Sequence, residues 1–158
     1  MTRTLNDLLD VAIQDEINAQ KFYQVLGNKT NNPKLKDFFK SLAIEEEGHE
    51  RILKGVKEMQ LYDGSAPVDE EEIKKIEGAH VIKMEASIED LTIDKAMEIA
   101  LKREHKAAQV YGQMAESTAQ EEIMKLFTSI AADEKRHFNM IEQHYKMHTG
   151  QMGREDGS

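Results

Sequence analysis

Residues 16–23 read EINAQKFY and residues 46–49 read EEGH; further along, residues 104–111 read EHKAAQVY and residues 134–137 read EKRH. Reduced to its fixed positions, this is Glu-x6-Tyr followed by Glu-x2-His, written twice. Every matched pair lies 88 positions apart: 16 with 104, 23 with 111, 46 with 134 and 49 with 137. No gap is needed to align the two halves. Residues three or four apart share one face of a helix, so Glu46 with His49 and Glu134 with His137 each project together. Four carboxylates and two imidazoles on paired helices can hold two metal ions in the core of a helix bundle.

The flanking residues supply those helices. Leu5, Leu8, Leu9, Ala12 and Ile13 form a 3.6-period apolar stripe that continues through Glu16, Ala19 and Tyr23. Thr4 with Asp7 opens this first helix, and Gly27 with the Asn31-Asn32-Pro33 cluster is expected to end it. Asn32 as cap and Pro33 at the first position start a second helix. Its stripe is Leu35, Phe38, Phe39, Leu42, Glu46, His49, Leu53 and Val56, and Gly64, Ser65 and Pro67 break it. A third helix starts near Thr92 and carries Ile93, Met97, Ala100, Leu101 and Glu104. Thr118 with Glu121 has the spacing of a capping box for a fourth helix. That helix bears Ile123, Leu126, Phe127, Ile130, Glu134, His137 and Ile141, and Gly150 is its expected stop.

The 88-residue offset pairs core positions as well as polar ones. Leu9 answers to Met97, Ile13 to Leu101, Phe39 to Phe127 and Leu53 to Ile141. Each half is therefore one helical hairpin, and the hairpins should pack about a pseudo-two-fold axis. The connection from about Tyr62 to Leu91 is too long for a tight antiparallel turn. It reads as a crossover joining the hairpins along the bundle, with a short exposed helix over Asp69 to Glu77. The fold class is all-α: a four-helix bundle built from two hairpins.

Composition narrows the function. The chain has 158 residues, 32% charged and 6% aromatic, with two prolines and no tryptophan. That suits one helical domain of ordinary size. A net charge of −9 argues against nucleic acid and anionic membranes as partners and would draw cations. Without cysteine there is no thiol catalysis, zinc ribbon or iron–sulfur cluster within these residues. No apolar run approaches the roughly 20 residues of a membrane span. Met1 to Asp10 shows no basic-then-apolar signal pattern, so a cytoplasmic location is expected.

Glu16, Glu46, Glu104 and Glu134 all interrupt apolar stripes, so all four should point inward with His49 and His137. Buried carboxylates are costly unless paired or bound to metal. Two divalent cations would match their four charges, and oxygen with imidazole ligands suits iron or manganese without excluding zinc. A metal-bound imidazole commonly gives its other N–H to a carboxylate. Glu45 and Asp133, each next to a candidate ligand, are expected to reach the histidine of the opposite hairpin. Tyr23 and Tyr111, the candidate catalytic side chains, lie two turns from Glu16 and Glu104 and are placed to bond a carboxylate across the bundle. His105 points away from the site and His80 carries no signal. His144 and His148 continue the His137 face. They read as solvated residues at a helix C-terminus, where a cationic imidazole is favourable, in preference to a second metal site.

At the motifs in 16–23, 46–49, 104–111 and 134–137 the chain resembles the ferritin-like superfamily of di-iron carboxylate proteins, and most closely the rubrerythrin family. The resemblance covers residues 5 to 149. It implies a ferritin-like di-metal domain over residues 1–150, with a polar tail over 151–158. It also implies that Glu46 and Glu134 bridge two metals, iron foremost. Glu16 and Glu104 would be terminal ligands, and His49 and His137 would each bind one ion. Two departures stand out. No cysteines are present for the rubredoxin module of typical rubrerythrins, so electrons would come from an external donor such as a separate rubredoxin. Position 107, where those proteins carry a further ligand glutamate, is Ala. The implied site is the symmetric four-Glu, two-His type of bacterioferritin and related oxidases. Three functions stay open: reduction of hydrogen peroxide or dioxygen, ferroxidase or iron handling, and a structural metal-binding bundle. Phe22, Val25 and Val110 lie off the ligand stripe and suggest outward apolar patches. A homodimer is therefore expected, domain-swapped if one hairpin crosses to the partner.

Overall fold

A computed structural model describes residues 4–59, 64, 65, 67, 71, 74 and 90–150. Among them are four long helices: α1 (Leu5–Lys29), α2 (Pro33–Met59), α3 (Ile93–Ser117) and α4 (Glu121–His148). No strand is present among the described residues. The ends follow the expected chemistry in most cases. Thr4 and Asp7 close a reciprocal capping box on α1. The Asn32 carboxamide oxygen accepts from the N–H groups of Lys34 and Leu35 at 2.9 and 3.3 Å. Thr92 caps α3 through the Lys95 N–H. Gly150, at φ 80°, takes the left-handed conformation that stops α4.

Three details depart from expectation. Gly27 does not end α1 but lies buried inside it, where α2 comes close: a Cβ there would sit 3.7 Å from the Phe39 Cβ. Thr118 does not cap α4. Its hydroxyl accepts from the Gln120 N–H in the turn, and Gln120 occupies the cap position with no side-chain bond. Phe22 and Val110 do not face outward, because both are buried within the chain's own core. The homodimer expectation loses those residues as its basis. The short helix expected over 69–77 lies largely outside the described residues, within which Glu71 and Lys74 are helical and exposed.

α1 packs antiparallel on α2, and α3 on α4. Across the two hairpins, α1 neighbours α3 and α2 neighbours α4. The apolar side chains gather into two clusters at opposite ends of the bundle. One joins Leu5 to Ile13 of α1, Leu53 of α2, Ala107 to Ala115 of α3 and Ile123 to Ala131 of α4. The other joins Ala19 to Leu26, Leu35 to Ala43, Ala96 to Ala100, and Ile141. The end of α2 lies in the first cluster and the start of α3 in the second. The two helix ends that the connection joins therefore lie at opposite ends of the bundle. The early part of the connection touches the start of α1, where the Gly64 carbonyl accepts from the Asn6 N–H at 3.0 Å. Every polar position of the repeat falls on the belt between the two apolar clusters.

The uncapped start of α4 is open to improvement. Gln120 already has extended backbone geometry, with φ −87° and ψ 112°. Gln120→Asp should supply the missing cap and stabilise the protein by about 0.5–1 kcal/mol. A thermal melt should show a rise of about 1–4 °C, and an unchanged or lower midpoint would contradict the assignment of this end.

Candidate metal centre

Each helix contributes its polar residues to the belt by helical spacing alone. Glu16 and Tyr23 come from α1, Glu46 and His49 from α2, Glu104 and Tyr111 from α3, and Glu134 and His137 from α4. All eight are buried, and the four glutamates and His137 expose no surface. The packing converges them on two overlapping groups. Glu16, Glu46, His49 and Glu134 form one, and Glu46, Glu104, Glu134 and His137 form the other. Glu46 and Glu134 belong to both.

The distances repeat with the sequence. His49 Nδ1 lies 3.1 Å from Glu46 Oε1, 3.4 Å from Glu134 Oε1 and 3.6 Å from Glu16 Oε2. His137 Nδ1 lies 3.2 Å from Glu134 Oε1, 3.6 Å from Glu46 Oε1 and 3.7 Å from Glu104 Oε2. The two rings sit side by side, 6.1 Å apart. Their outer nitrogens are held across the hairpin interface: His49 Nε2 meets Asp133 at 2.9 Å and His137 Nε2 meets Glu45 at 3.1 Å. The tyrosines cross as well. Tyr23 donates to Glu104 Oε1 at 2.5 Å and Tyr111 to Glu16 Oε1 at 2.7 Å. Burial first, and then the adjoining carboxylates, push both phenols well above their ordinary pKa, so they remain donors.

One member of the belt was not singled out from the sequence. Arg103, fully buried, thrusts its guanidinium among the carboxylates. Nη1 donates to Glu46 Oε2, to Glu134 Oε2 at 2.6 Å and to Glu104 Oε1 at 3.2 Å. Nη2 donates to Asp15 at 2.7 Å. A signal did exist. Asp15 and Arg103 are themselves 88 positions apart, each directly before a glutamate of the repeat, and they carry opposite charges. Burial opposes the arginine's charge, but Asp15, Glu134, Glu46 and Glu104 outweigh it and hold the group cationic. Burial raises the Glu134 carboxyl well above the carboxylate range, with Arg103 pulling the other way.

The residues outside the belt separate cleanly. His105 is exposed and packs against Phe138, as expected of a surface residue. His144 is not the solvated cation expected near a helix end. Its ring stacks on Phe38 at 4.1 Å, and burial, with Lys34 nearby, lowers its pKa. His148 is paired with Asp94 at 3.0 Å. Neither histidine joins a metal-competent cluster among the described residues.

Besides Arg103 Nε, six buried atoms of the belt have no hydrogen-bond partner: Glu16 Oε2, Glu46 Oε1, His49 Nδ1, Glu104 Oε2, Glu134 Oε1 and His137 Nδ1. They comprise one atom from each of the six repeated Glu and His residues, all turned toward the same space. Buried polar groups are normally satisfied, so an inward ring of oxygen and nitrogen donors fits cations at its centre.

The rubrerythrin family model matches residues 7–145. The chain belongs to the rubrerythrin family. Solved structures share the fold. A ferritin-like diiron-carboxylate protein described from Thermotoga maritima superposes with a TM-score of 0.72 at 21% identity, covering 92% of this chain and 97% of that one. A hypothetical protein from Pyrococcus furiosus superposes with a TM-score of 0.69 at 25% identity, covering 90% and 89%. No curated protein matches. Membership implies a centre for two metal ions, typically iron, and a bundle of this kind contains the carboxylate–histidine cluster that such a centre needs. No helix among the described residues is long and apolar enough to cross a membrane.

Without metal, protons on the histidines join the Arg103 guanidinium as cations of this belt. Burial opposes a charged ring, but Glu16, Glu46 and Glu134 overcome it and push His49 up to about 12. Glu104, Glu46 and Glu45 likewise push His137 up to about 9. Both folded values lie above the unfolded value of 6.5. The stabilisation is therefore complete below pH 6.5 and is lost as pH rises, through about 9 for His137 and later for His49. Metal-free protein should show a lower urea midpoint at pH 9 than at pH 6.5. An equal or higher midpoint at pH 9 would contradict the proposed source of charge balance.

Proposed function

We propose that this chain is a di-iron carboxylate oxidoreductase that reduces hydrogen peroxide or dioxygen with electrons from an external donor. The observation that carries this reading is the ring of six unpartnered donor atoms, one from each repeated Glu and His. In it Glu46 and Glu134, which belong to both ligand groups, would be shared between two ions. Glu16 with His49 completes one coordination set, and Glu104 with His137 the other. Two ferrous ions held there would supply the two electrons, and solvent the two protons, with which hydrogen peroxide becomes two water molecules.

The protein's own residues set the conditions for that chemistry. Asp133 and Glu45 fix the tautomer of the two imidazoles by taking the outer N–H, leaving Nδ1 to face inward. Tyr111 and Tyr23 orient the terminal carboxylates Glu16 and Glu104 by occupying one oxygen of each and leaving the other free. The two apolar clusters exclude water on both sides of the belt, which strengthens every charge interaction within it. Electrons would return from a separate carrier such as a rubredoxin, since the chain has no cysteine with which to build an iron–sulfur relay. We take residues 1–150 as one di-metal domain and the cytoplasm as its setting.

Ala107 favours a second reading. It is buried beside the belt, and by the family resemblance this position would otherwise add a seventh, redox-mobile ligand. A symmetric site without that carboxylate also suits ferroxidase or iron-handling chemistry. Stopped-flow mixing of anaerobic diferrous protein with hydrogen peroxide separates the possibilities. The peroxidase reading expects one peroxide to oxidise both ferrous ions, with repeated cycles on an added reductant and no loss of iron. Turnover of excess ferrous iron into released ferric product would favour the iron-handling reading. A protein that binds two ions but reacts with neither oxidant would make the centre structural.

A further inference from the structure

Arg103 is the only buried Lys or Arg side chain among the described residues, and no ligand role uses it. Its position interferes with two of the glutamates in one specific way. A carboxylate that spans two ions ordinarily offers one oxygen to each. In both Glu46 and Glu134, Oε1 is free while Oε2 is held by the same guanidinium nitrogen, Nη1. Glu16 and Glu104 differ. A tyrosine hydroxyl occupies their Oε1, and their Oε2 is free, so a terminal role needs no rearrangement. Arg103 holds one oxygen of each residue shared between the clusters, and its further contact with Glu104 falls on the oxygen that the Tyr23 hydroxyl already takes.

We propose that Arg103 is a tethered cation that competes with the second metal ion for Oε2 of Glu46 and Glu134. Loading is then stepwise. A first ion is taken on the free Oε1 and Nδ1 atoms, and a second enters only as the guanidinium withdraws. The proposal rests on the dinuclear reading above. The charges are consistent with such an exchange. Two divalent ions match the four glutamates, and the displaced arginine keeps its partner, because Nη2 is already anchored on Asp15 at 2.7 Å. Asp15 lies at the margin of the belt, with 15% of its side chain exposed, so the pair marks the side toward which the guanidinium can retreat. The repeat itself makes the device one-sided. Asp15 and Arg103 occupy equivalent positions, and a single arginine serves both shared glutamates.

Two measurements test this with zinc ion alone as a diamagnetic probe. In the first, metal-free wild type and Arg103→Gln are titrated calorimetrically, with native mass spectrometry counting bound ions. Wild type should take up two ions in unequal steps. The variant should bind the second ion at least about tenfold more tightly, since a charge-assisted hydrogen-bonding competitor is gone. In the second, the arginine side-chain resonances of isotope-labelled wild type are followed through the same titration. The buried Arg103 guanidinium should hold its shift through the first equivalent and move during the second. That arm stands even if Arg103→Gln fails to fold. Two bound ions with an unmoved Arg103 resonance, or a second-ion affinity within about twofold of wild type in the folded variant, overturn the competition and leave the dinuclear reading intact. Fewer than two ions in wild type overturn both.

Discussion

Four ionisable carboxylates with no surface exposure, drawn from four different helices, are the constraint around which this bundle is arranged. Taking each carboxylate out of water costs several kcal/mol, and bringing four together adds their mutual repulsion. A bundle that met only hydrophobic needs would place apolar residues at 16, 46, 104 and 134, as it does one turn before each, at Ala12, Leu42, Ala100 and Ile130. The remaining features of the belt are answers to that cost. Two tyrosine hydroxyls satisfy one oxygen of each terminal glutamate, a guanidinium satisfies one oxygen of each shared glutamate, and two imidazoles face what is left. The six atoms still without partners define a space suited to cations.

The internal repeat explains how such a costly belt is placed so regularly. A helical hairpin that presents Glu, Tyr, Glu and His at fixed offsets cannot bury them alone. Two such hairpins facing each other close the belt, and each supplies the other's hydrogen-bond partners. Tyr23 of the first reaches Glu104 of the second, Tyr111 reaches Glu16, Asp133 holds His49 and Glu45 holds His137. None of these contacts lies within one hairpin. Hairpin association and site assembly are therefore one event. The symmetry breaks at Asp15 and Arg103, where equivalent positions carry opposite charges and meet.

Much of this was legible before any coordinates. The Glu and His positions interrupt apolar stripes in register, which fixes both the helix faces and the inward direction. The crossing partners follow because Glu45 and Asp133 sit one residue from belt positions. Arg103 was missed for a physical reason. Its neighbour Glu104 dominates that face, and a long side chain can reach a core that its own Cα does not point to most directly. Phe22 and Val110 misled because helical stripes in a four-helix bundle are wide, and flanking positions are covered by the adjacent helix of the hairpin. Thr118 has the spacing of a capping box, yet the chain uses its hydroxyl one residue earlier in the turn. His144 looked like a solvated cation because spacing alone does not show that Phe38 of α2 lies beneath it.

Diffraction at the iron absorption edge from crystals of iron-loaded protein tests the central claim most directly. Two anomalous peaks are expected within the belt, both between the Glu46 and Glu134 carboxylates. One should lie against His49 Nδ1 and Glu16, the other against His137 Nδ1 and Glu104. A single peak, or peaks confined to surface groups such as His144 and His148, would contradict it.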